Sequence, residues 1–230
     1  MRHLIFTFAI IALSATLVTA QKNQGKALQD AVDKVNDAST AINQIMRAKD
    51  KGIPRDLLNK AEAVVIFPGT YKAAFVFGGQ GGAGVAIKRV GSGWSAPAFL
   101  KLGGASFGAQ IGGAKTDYIL LIMNDDGLKS LLSDKFEIGG EGSVVAGPVG
   151  RTAAASTTAT LGAQILSYSR SKGLFAGVSL KGVVITHDDD RNRSIYNKNA
   201  DQILGIPPVL SSDAPSALQR LADTLSTYSK

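Results

Sequence analysis

The sequence predicts an α+β fold in which an antiparallel, glycine-rich β-sandwich or barrel is flanked by an N-terminal and a C-terminal helix. Three observations predict it. Apolar residues between positions 22 and 51 recur at three- and four-residue spacing, the period of an amphipathic helix. From Ala63 onward the pattern changes to short apolar runs separated by turn residues, which is typical of strands. All but three of the 26 glycines lie between Gly69 and Gly182, where they indicate turns, bulges and close backbone approach.

The predicted helices follow from periodicity and capping residues. The N-terminal helix covers residues 22–51, and a Gly-Ile-Pro sequence ends it because the residue before a proline avoids helical geometry. A short helix is expected at residues 55–61. Asn124 or Asp125 is the expected cap of another short helix within the strand-rich region. Asp213 is the expected cap of the C-terminal helix, which has a proline in its first turn.

Eight strands are predicted from the apolar runs between turn residues. Because these runs follow one another at regular spacing, an antiparallel sandwich or barrel is favoured, and the flanking helices are expected to cover it. The predicted strands are residues 64–67, 73–77, 85–90, 94–102, 118–123, 142–149, 160–169 and 174–186.

The first 20 residues have the pattern of a secretory signal peptide. Arg2 provides a positive start, residues 4–18 are almost wholly apolar, and Val-Thr-Ala at 18–20 is a small-residue cleavage site. The apolar run is shorter than the roughly 20 residues that span a bilayer, although a retained anchor is the alternative. We therefore expect residues 1–20 to be a signal peptide and residues 21–230 a single exported domain. It would lie in the periplasm or outside the cell, peripheral to a membrane.

Composition favours a binding protein over a catalyst. The net charge of +7 suits an acidic partner such as a lipid headgroup, although solubility alone would also explain it. The chain has no cysteine and two histidines, which excludes a disulfide framework and argues against a transition-metal site. Asp188, Asp189 and Asp190 could hold a calcium ion, but the glycine and glutamate of an EF-hand loop are absent. Adjacent acids also suit a solvated loop or a helix N-terminus.

Three glycine-rich motifs resemble enzyme signatures but lack their context. Residues 79–84 match G-x-G-x-x-G, yet a predicted strand follows where a dinucleotide site needs a helix. Residues 104–108 match the nucleophile motif G-x-S-x-G, and a triad of Ser106, Asp117 and His187 is conceivable on paper. Residues 108–116 nearly form a P-loop, but one alanine displaces the lysine. We expect no enzymatic activity, no cofactor and no metal.

The segment from Ser167 to Gly182 carries the clearest signal. Arg170 and Lys172 precede a glycine turn, and a strand of small apolar residues follows. Together with Gly-Ile-Pro at 52–54 and the glycine-rich blocks at 72–79, 93–99, 108–112 and 146–151, this segment resembles the SYLF domain family over residues 51–205. The resemblance implies binding of phosphoinositide-type lipids at a membrane, actin binding in fungal members, and a membrane contact made by an N-terminal helix beside the domain.

The predicted site is a set of basic residues near glycine turns and on the N-terminal helix, because lysine, arginine and turn amides can bind phosphate. The apolar stripe of that helix either packs on the sheet or inserts into the membrane, and the sequence leaves both open. We expect anionic membrane lipid as the partner and no nucleic acid. The alternative is a structural or protein-interaction module of the cell envelope with an unidentified protein partner. The candidate residues are Arg170, Lys172, Lys181, Arg151, Lys72, Lys115, Lys26, Lys34, Arg47, Lys49 and Lys51.

Overall fold

The fold described below is taken from a computed structural model of the chain. The residues it describes are 2–48, 52–75, 77–106, 114–138, 144–150, 162–171, 174–177, 180 and 182–229. Within these ranges, side chains are described except at 2–23, 72–75, 77–78, 105–106, 114 and 175.

Six α-helices and ten strands follow one another along the described chain. The helices are α1 (Arg2–Met46), α2 (Arg55–Lys60), α3 (Asp125–Leu132), α4 (Asp189–Tyr196), α5 (Ala200–Leu204) and α6 (Arg220–Ser226). The strands are β1 (Ala63–Phe75), β2 (Phe77–Val90), β3 (Gly93–Trp94), β4 (Ala98–Ser106), β5 (Ala114–Ile122), β6 (Lys135–Ile138), β7 (Val144–Ala146), β8 (Ile165–Ser171), β9 (Leu174–Gly177) and β10 (Val183–His187).

The strands form one continuous sheet in the order β6-β10-β4-β2-β1-β5-β8-β7. Strand β3 pairs with β2, and β9 pairs with the half of β8 that β7 leaves open. Of the ladders in the described chain, only β7–β8 is parallel. The predicted α+β class, with a mainly antiparallel sheet between N- and C-terminal helices, is confirmed.

The centre of the sheet is buried on both faces. Residues 63–67 of β1 and 118–122 of β5 are fully buried, although successive side chains of a strand point to opposite faces. Helix α1 packs on β1 and β2, and α4 and α5 pack on β4. The buried stripe of α1 consists of Ala31, Val35, Ala38, Ile42 and Ile45. Among the described helices, none combines the length and the apolar character needed to cross a membrane.

Two polar side chains, the buried Asn192 and the half-buried Arg89, fix helices to this sheet. The Asn192 side chain is fully buried; its Oδ1 accepts from the Phe99 amide at 2.8 Å and its Nδ2 donates to the Phe99 carbonyl at 3.0 Å. It therefore continues the β10–β4 ladder and holds α4 against the sheet. Arg89 donates to the Leu58 and Ala61 carbonyls at the end of α2 and stacks on Trp94 at 4.2 Å. Burial lowers the pKa of Arg89, and the Glu62 carboxylate opposes that shift.

Several predicted boundaries were wrong. Helix α1 ends at Met46, before residue 51, and Gly52 packs against the carbonyl of its last turn at Ile45. Asp213 does not cap the C-terminal helix, which begins at Arg220; Asp213 ends a short 3₁₀ turn instead. The physical reason is that Ala214 precedes a proline and takes extended backbone, which interrupts any helix there.

The strand pattern was also only partly right. Residues 64–67 and 73–75 belong to one long strand, β1, whereas Phe77 begins β2, and residues 174–186 contain two strands. Strand β6 and helices α4 and α5 were missed. Of the two predicted caps, Asn124 or Asp125, Asn124 is the cap, because its side chain accepts from the Gly127 amide at 2.9 Å.

A bulge joins the two halves of β1. Opposite β5, Phe67 pairs with Tyr118 and Thr70 pairs with Thr116, so two residues of β1 stand against Asp117 alone. Gly69 lies in this bulge with φ of +60°, a left-handed conformation that glycine adopts without strain.

The glycines of β2 have two different roles. A Cβ at Gly84 would overlap the Phe67 ring, and one at Gly82 would lie 2.7 Å from the Thr70 hydroxyl oxygen. At Gly79, and at Gly103 on the neighbouring strand, a Cβ would meet nothing within 4 Å. The G-x-G-x-x-G motif at 79–84 therefore lies within a strand, where one of its glycines is required by packing around the bulge.

We expect Gly84→Ala to lower the free energy of unfolding by about 1–3 kcal/mol, because the added methyl overpacks the Phe67 ring. The matched control is Gly103→Ala, which fills open space and should leave stability unchanged or raise it by up to about 1 kcal/mol. Urea unfolding followed by circular dichroism measures both. Equal losses in the two variants would contradict this account.

Candidate functional site

The basic candidates on the sheet lie at one end of it. In the antiparallel register, β1 ends where β2, β5 and β9 begin, and β4 and β8 end there too. We call this the hairpin end. Tyr71 pairs with Lys115 and Asp117 pairs with Arg170, which places these four residues on one face of three neighbouring strands.

Tyr71 and Lys115 form an exposed pair at the hairpin end. Tyr71 is 59% exposed, and the Lys115 ammonium lies 5.0 Å from the centre of its ring. The pKa of Lys115 is raised above its ordinary value, first by hydrogen bonding to the Tyr71 hydroxyl and to a smaller extent by the Asp37 carboxylate of α1. Lys115 is therefore fully charged at neutral pH and open to solvent.

Next to this pair, glycines occupy neighbouring positions on two strands. We call the surface formed by Gly79, Gly81 and Gly103 the glycine floor. Gly81 pairs with Tyr71 on one side and with Gly103 on the other, and Gly79 lies two residues along the strand on the same face. Gly79 and Gly81 are exposed. Because an added Cβ would meet open space at Gly79 and Gly103, the fold does not require glycine there for packing. A flat ligand surface can approach the backbone closely at this point.

Leu174 adds an exposed apolar side chain to the hairpin end. It begins β9, pairs with Ser171 and is 74% exposed. Through Ser171 and Thr116 the register places Leu174 on the opposite face of the sheet from Tyr71 and Lys115.

Arg170 forms an ion pair with Asp117 on the neighbouring strand. Its Nη1 lies 3.1 Å from Oδ2 of Asp117, and the two side chains are 27% and 17% exposed. The other oxygen of Asp117 accepts from the Gly69 amide at 2.8 Å. Arg170 therefore belongs to the support of the β1 bulge.

The basic residues of α1 are dispersed. Lys26 and Arg47 are exposed, whereas Lys34 lies 3.7 Å from Asp37. The apolar stripe of α1 packs on the sheet, which is the first of the two alternatives left open by the sequence. Helix α6 and the residues after it hold α1 there: Arg220 donates to the Asn36 side chain at 3.1 Å, and Tyr228 donates to that of Asn43 at 2.8 Å.

The remaining candidates lie partly or wholly outside the described residues. Lys72 is on β1 and pairs with Ala114, but its side chain is not described. The candidates outside the described residues are Lys172, Lys181, Arg151, Lys49 and Lys51.

Sequence reasoning missed Tyr71, Leu174 and the glycine floor. The missing signal is the bulge at Gly69: because residues 64–67 and 73–77 are predicted as separate strands, the direction of the Tyr71 side chain between them cannot be assigned from the sequence. The exposure of Leu174 depends on the edge position of β9, which no local pattern indicates.

The acidic cluster that could have held calcium is engaged in other contacts. Asp188 is buried, with Lys101 at 2.8 Å and Arg191 at 3.6 Å. Asp189 accepts from the Ala200 amide at 3.1 Å and lies near Arg193. In the described parts of the chain, no three acidic or histidine side chains group closely enough to hold a metal ion.

A cleft of about 940 Å³ lies between α1 and α4. The two arginines that line it, Arg191 and Arg193, are paired with Asp188 and Asp189. Tyr196 also lines the cleft, and burial raises the pKa of its phenol, which therefore stays neutral. Both arginines of the cleft are thus compensated, in contrast to Lys115 at the hairpin end.

The conceivable Ser106 triad is not assembled. His187 pairs with Leu100 on β4, and Ser106 lies six residues further along that strand. At about 3.3 Å per residue the two backbones are roughly 20 Å apart. His187 Nε2 lies instead 3.1 Å from the Leu131 carbonyl oxygen.

We expect no labelling of the folded protein by a fluorophosphonate probe, because the backbone of His187, the base of the conceivable triad, lies roughly 20 Å along the strand from that of Ser106. A serine hydrolase treated in parallel serves as the positive control, and mass spectrometry locates any adduct. Labelling at Ser106 would contradict the register described above.

Comparison with known proteins identifies the family. The family model Ysc84, described as "Las17-binding protein actin regulator", matches residues 103–228. The chain is 40% identical over 161 residues to LAS seventeen-binding protein 3 of Saccharomyces cerevisiae, covering 68% of this chain and 35% of that protein. It is 37% identical over 188 residues to an SH3 domain-containing protein of Schizosaccharomyces pombe, covering 80% of this chain and 41% of that one.

A human relative, SH3 domain-containing YSC84-like protein 1, is 32% identical over 149 residues, covering 64% of this chain and 43% of the human protein. The chain therefore matches less than half the length of these relatives. Since the family model matches more than half of the chain, over strands and helices that build the sheet and its cover, this chain belongs to the Ysc84 family, which is the SYLF family that its sequence resembles.

Proposed function

We propose that this protein is a non-enzymatic module that binds the anionic headgroups of a membrane surface through the hairpin end of its sheet. The observation that carries the proposal is the exposed Lys115–Tyr71 pair beside the glycine floor. The lysine supplies a charge without a described acidic partner in contact, and the tyrosine supplies an aromatic ring with a polar tip, the kind of side chain enriched at membrane interfaces.

The energetics suit weak, reversible binding. Each lysine or arginine near an anionic surface contributes on the order of 1 kcal/mol, so Lys115 alone gives little and the neighbouring basic segments must add to it. The exposed Tyr71 ring provides shallow apolar contact, whose strength scales with the area it buries. In this mode α1 stays on the sheet, and binding does not require its apolar stripe to be released.

A second candidate function is recognition of a protein partner. The family description and the names of the yeast relatives support it, since they refer to binding of Las17 and to regulation of actin. A flat glycine floor beside an exposed tyrosine also suits a protein surface, because aromatic residues dominate interface energetics. In this alternative the salt dependence of binding would be small.

Export is a further part of the proposal. The signal-peptide pattern of residues 1–20 supports removal of that segment and residence in the periplasm or outside the cell, where the module would lie on a membrane from that side. N-terminal sequencing of the protein recovered from its native cells would give Gln21 as the first residue; recovery of an intact Met1 would oppose export.

Flotation of the purified protein with liposomes of graded anionic content tests the lipid proposal. We expect binding to rise with anionic lipid and to weaken from low to physiological salt, because screening shortens the reach of the charges. Lys115→Gln should weaken binding about five-fold, the equivalent of about 1 kcal/mol. Tyr71→Ser should weaken it as well.

The matched control is Lys135→Gln. Lys135 is an exposed strand lysine at the opposite end of the sheet, and its removal should leave flotation unchanged. Equal losses from Lys115→Gln and Lys135→Gln would indicate attraction by net charge alone. Absence of flotation under every condition would reject lipid binding and leave recovery of a stoichiometric protein partner, lost in Tyr71→Ser, as the test of the alternative.

A further inference from the structure

We propose that Asp117 and Arg170 are positioning residues: together they hold the bulge in β1 that turns Tyr71 toward the exposed face beside Lys115. In this assignment Arg170 is not itself a contact to the anionic ligand, although it is the basic residue that the sequence singles out most strongly. The inference rests on the proposed function of the hairpin end and assigns the residues on which the geometry of that site depends.

The first step is the register of β1. Before the bulge, Phe67 pairs with Tyr118, and both side chains are buried. After the bulge, Tyr71 pairs with Lys115 on the opposite face. If β1 ran as a regular strand from Phe67 to Tyr71, alternation would place Tyr71 on the same face as Phe67, inside the protein, because a shift of one residue moves every following side chain to the other face.

The second step is the buried side of the same bulge. Thr70 is fully buried, and its hydroxyl oxygen lies close to the space that a side chain on Gly82 would fill. Because of the bulge, the small side chain of Thr70 points into the protein against Gly82, and the large side chain of Tyr71 points to solvent. Its loss would force the tyrosine ring into a space that accommodates threonine.

The third step is what holds the bulge. In a bulge the strand ladder is interrupted, which leaves backbone groups without their regular partners. The Gly69 amide donates to Oδ1 of Asp117 at 2.8 Å, so a carboxylate replaces the missing ladder acceptor. Arg170, on the next strand, lies 3.1 Å from the other carboxylate oxygen and fixes its orientation.

The direction in which Asp117→Ala changes liposome binding distinguishes a positioning role of Arg170 from direct contact with the lipid. If Arg170 contacted the anionic lipid, Asp117→Ala would strengthen binding, because it removes a negative charge and frees a cation. Positioning predicts the opposite: Asp117→Ala weakens flotation with anionic liposomes by about five-fold, comparable to the loss of Lys115. Arg170→Gln also weakens it, and the double variant is no weaker than Asp117→Ala, because both residues act through the same bulge.

Asp117→Asn provides the conservative rescue, since it keeps an oxygen for the Gly69 amide but loses the charge that pairs with Arg170. We expect its binding to lie between those of the wild type and Asp117→Ala. Stronger binding of either Asp117 variant than of the wild type would overturn the proposal.

Hydrogen exchange of the Gly69 amide gives a second readout that does not depend on the lipid. Exchange should be slow in the wild-type chain and faster in Asp117→Ala and Arg170→Gln, while Lys115→Gln leaves it unchanged although it weakens binding. If the wild type fails to bind liposomes, the proposed function fails and this exchange experiment still decides the role of the pair. Unchanged Gly69 exchange in folded Asp117→Ala would overturn it.

Discussion

The structure depends on the packing of α1 across a glycine-rich sheet. Glycines contribute no apolar area of their own, so a glycine-rich sheet needs a cover that supplies it. The stripe of α1 provides this cover over β1 and β2, and α6 and the residues after it hold the helix in place through Asn36 and Asn43. At the hairpin end, by contrast, Gly79, Gly81 and Tyr71 are exposed to solvent.

Ion pairing divides the basic residues into two groups. Lys34, Lys101 and Arg170 each lie within reach of an aspartate, which compensates their charge. Lys115 is different. Its described neighbours include the Tyr71 ring, and the Asp37 carboxylate raises the pKa of Lys115 only to a small extent. A positive net charge therefore overstates what the surface offers to an anion, because attraction depends on the cations that remain exposed and uncompensated.

Family membership and local geometry answer different questions. Membership in the Ysc84 family rests on sequence that spans the sheet and the C-terminal helices, and the names of its relatives refer to protein partners. The hairpin end offers features that suit a lipid surface as well as a protein one. Function belongs to sites placed on folds, so the site's own chemistry has to decide between them.

The sequence by itself determined the α+β class, the amphipathic N-terminal helix, a helix capped at Asn124 or Asp125 and the family, because these depend on local periodicity, capping and motif order. Tertiary structure decided which basic residues are compensated, because ion pairs such as Asp117–Arg170 join residues 53 positions apart. It also decided that Tyr71 faces outward, since the bulge at Gly69 shifts the strand by one residue. Side-chain direction after a bulge depends on pairing across strands, and that information is absent from any local stretch of sequence.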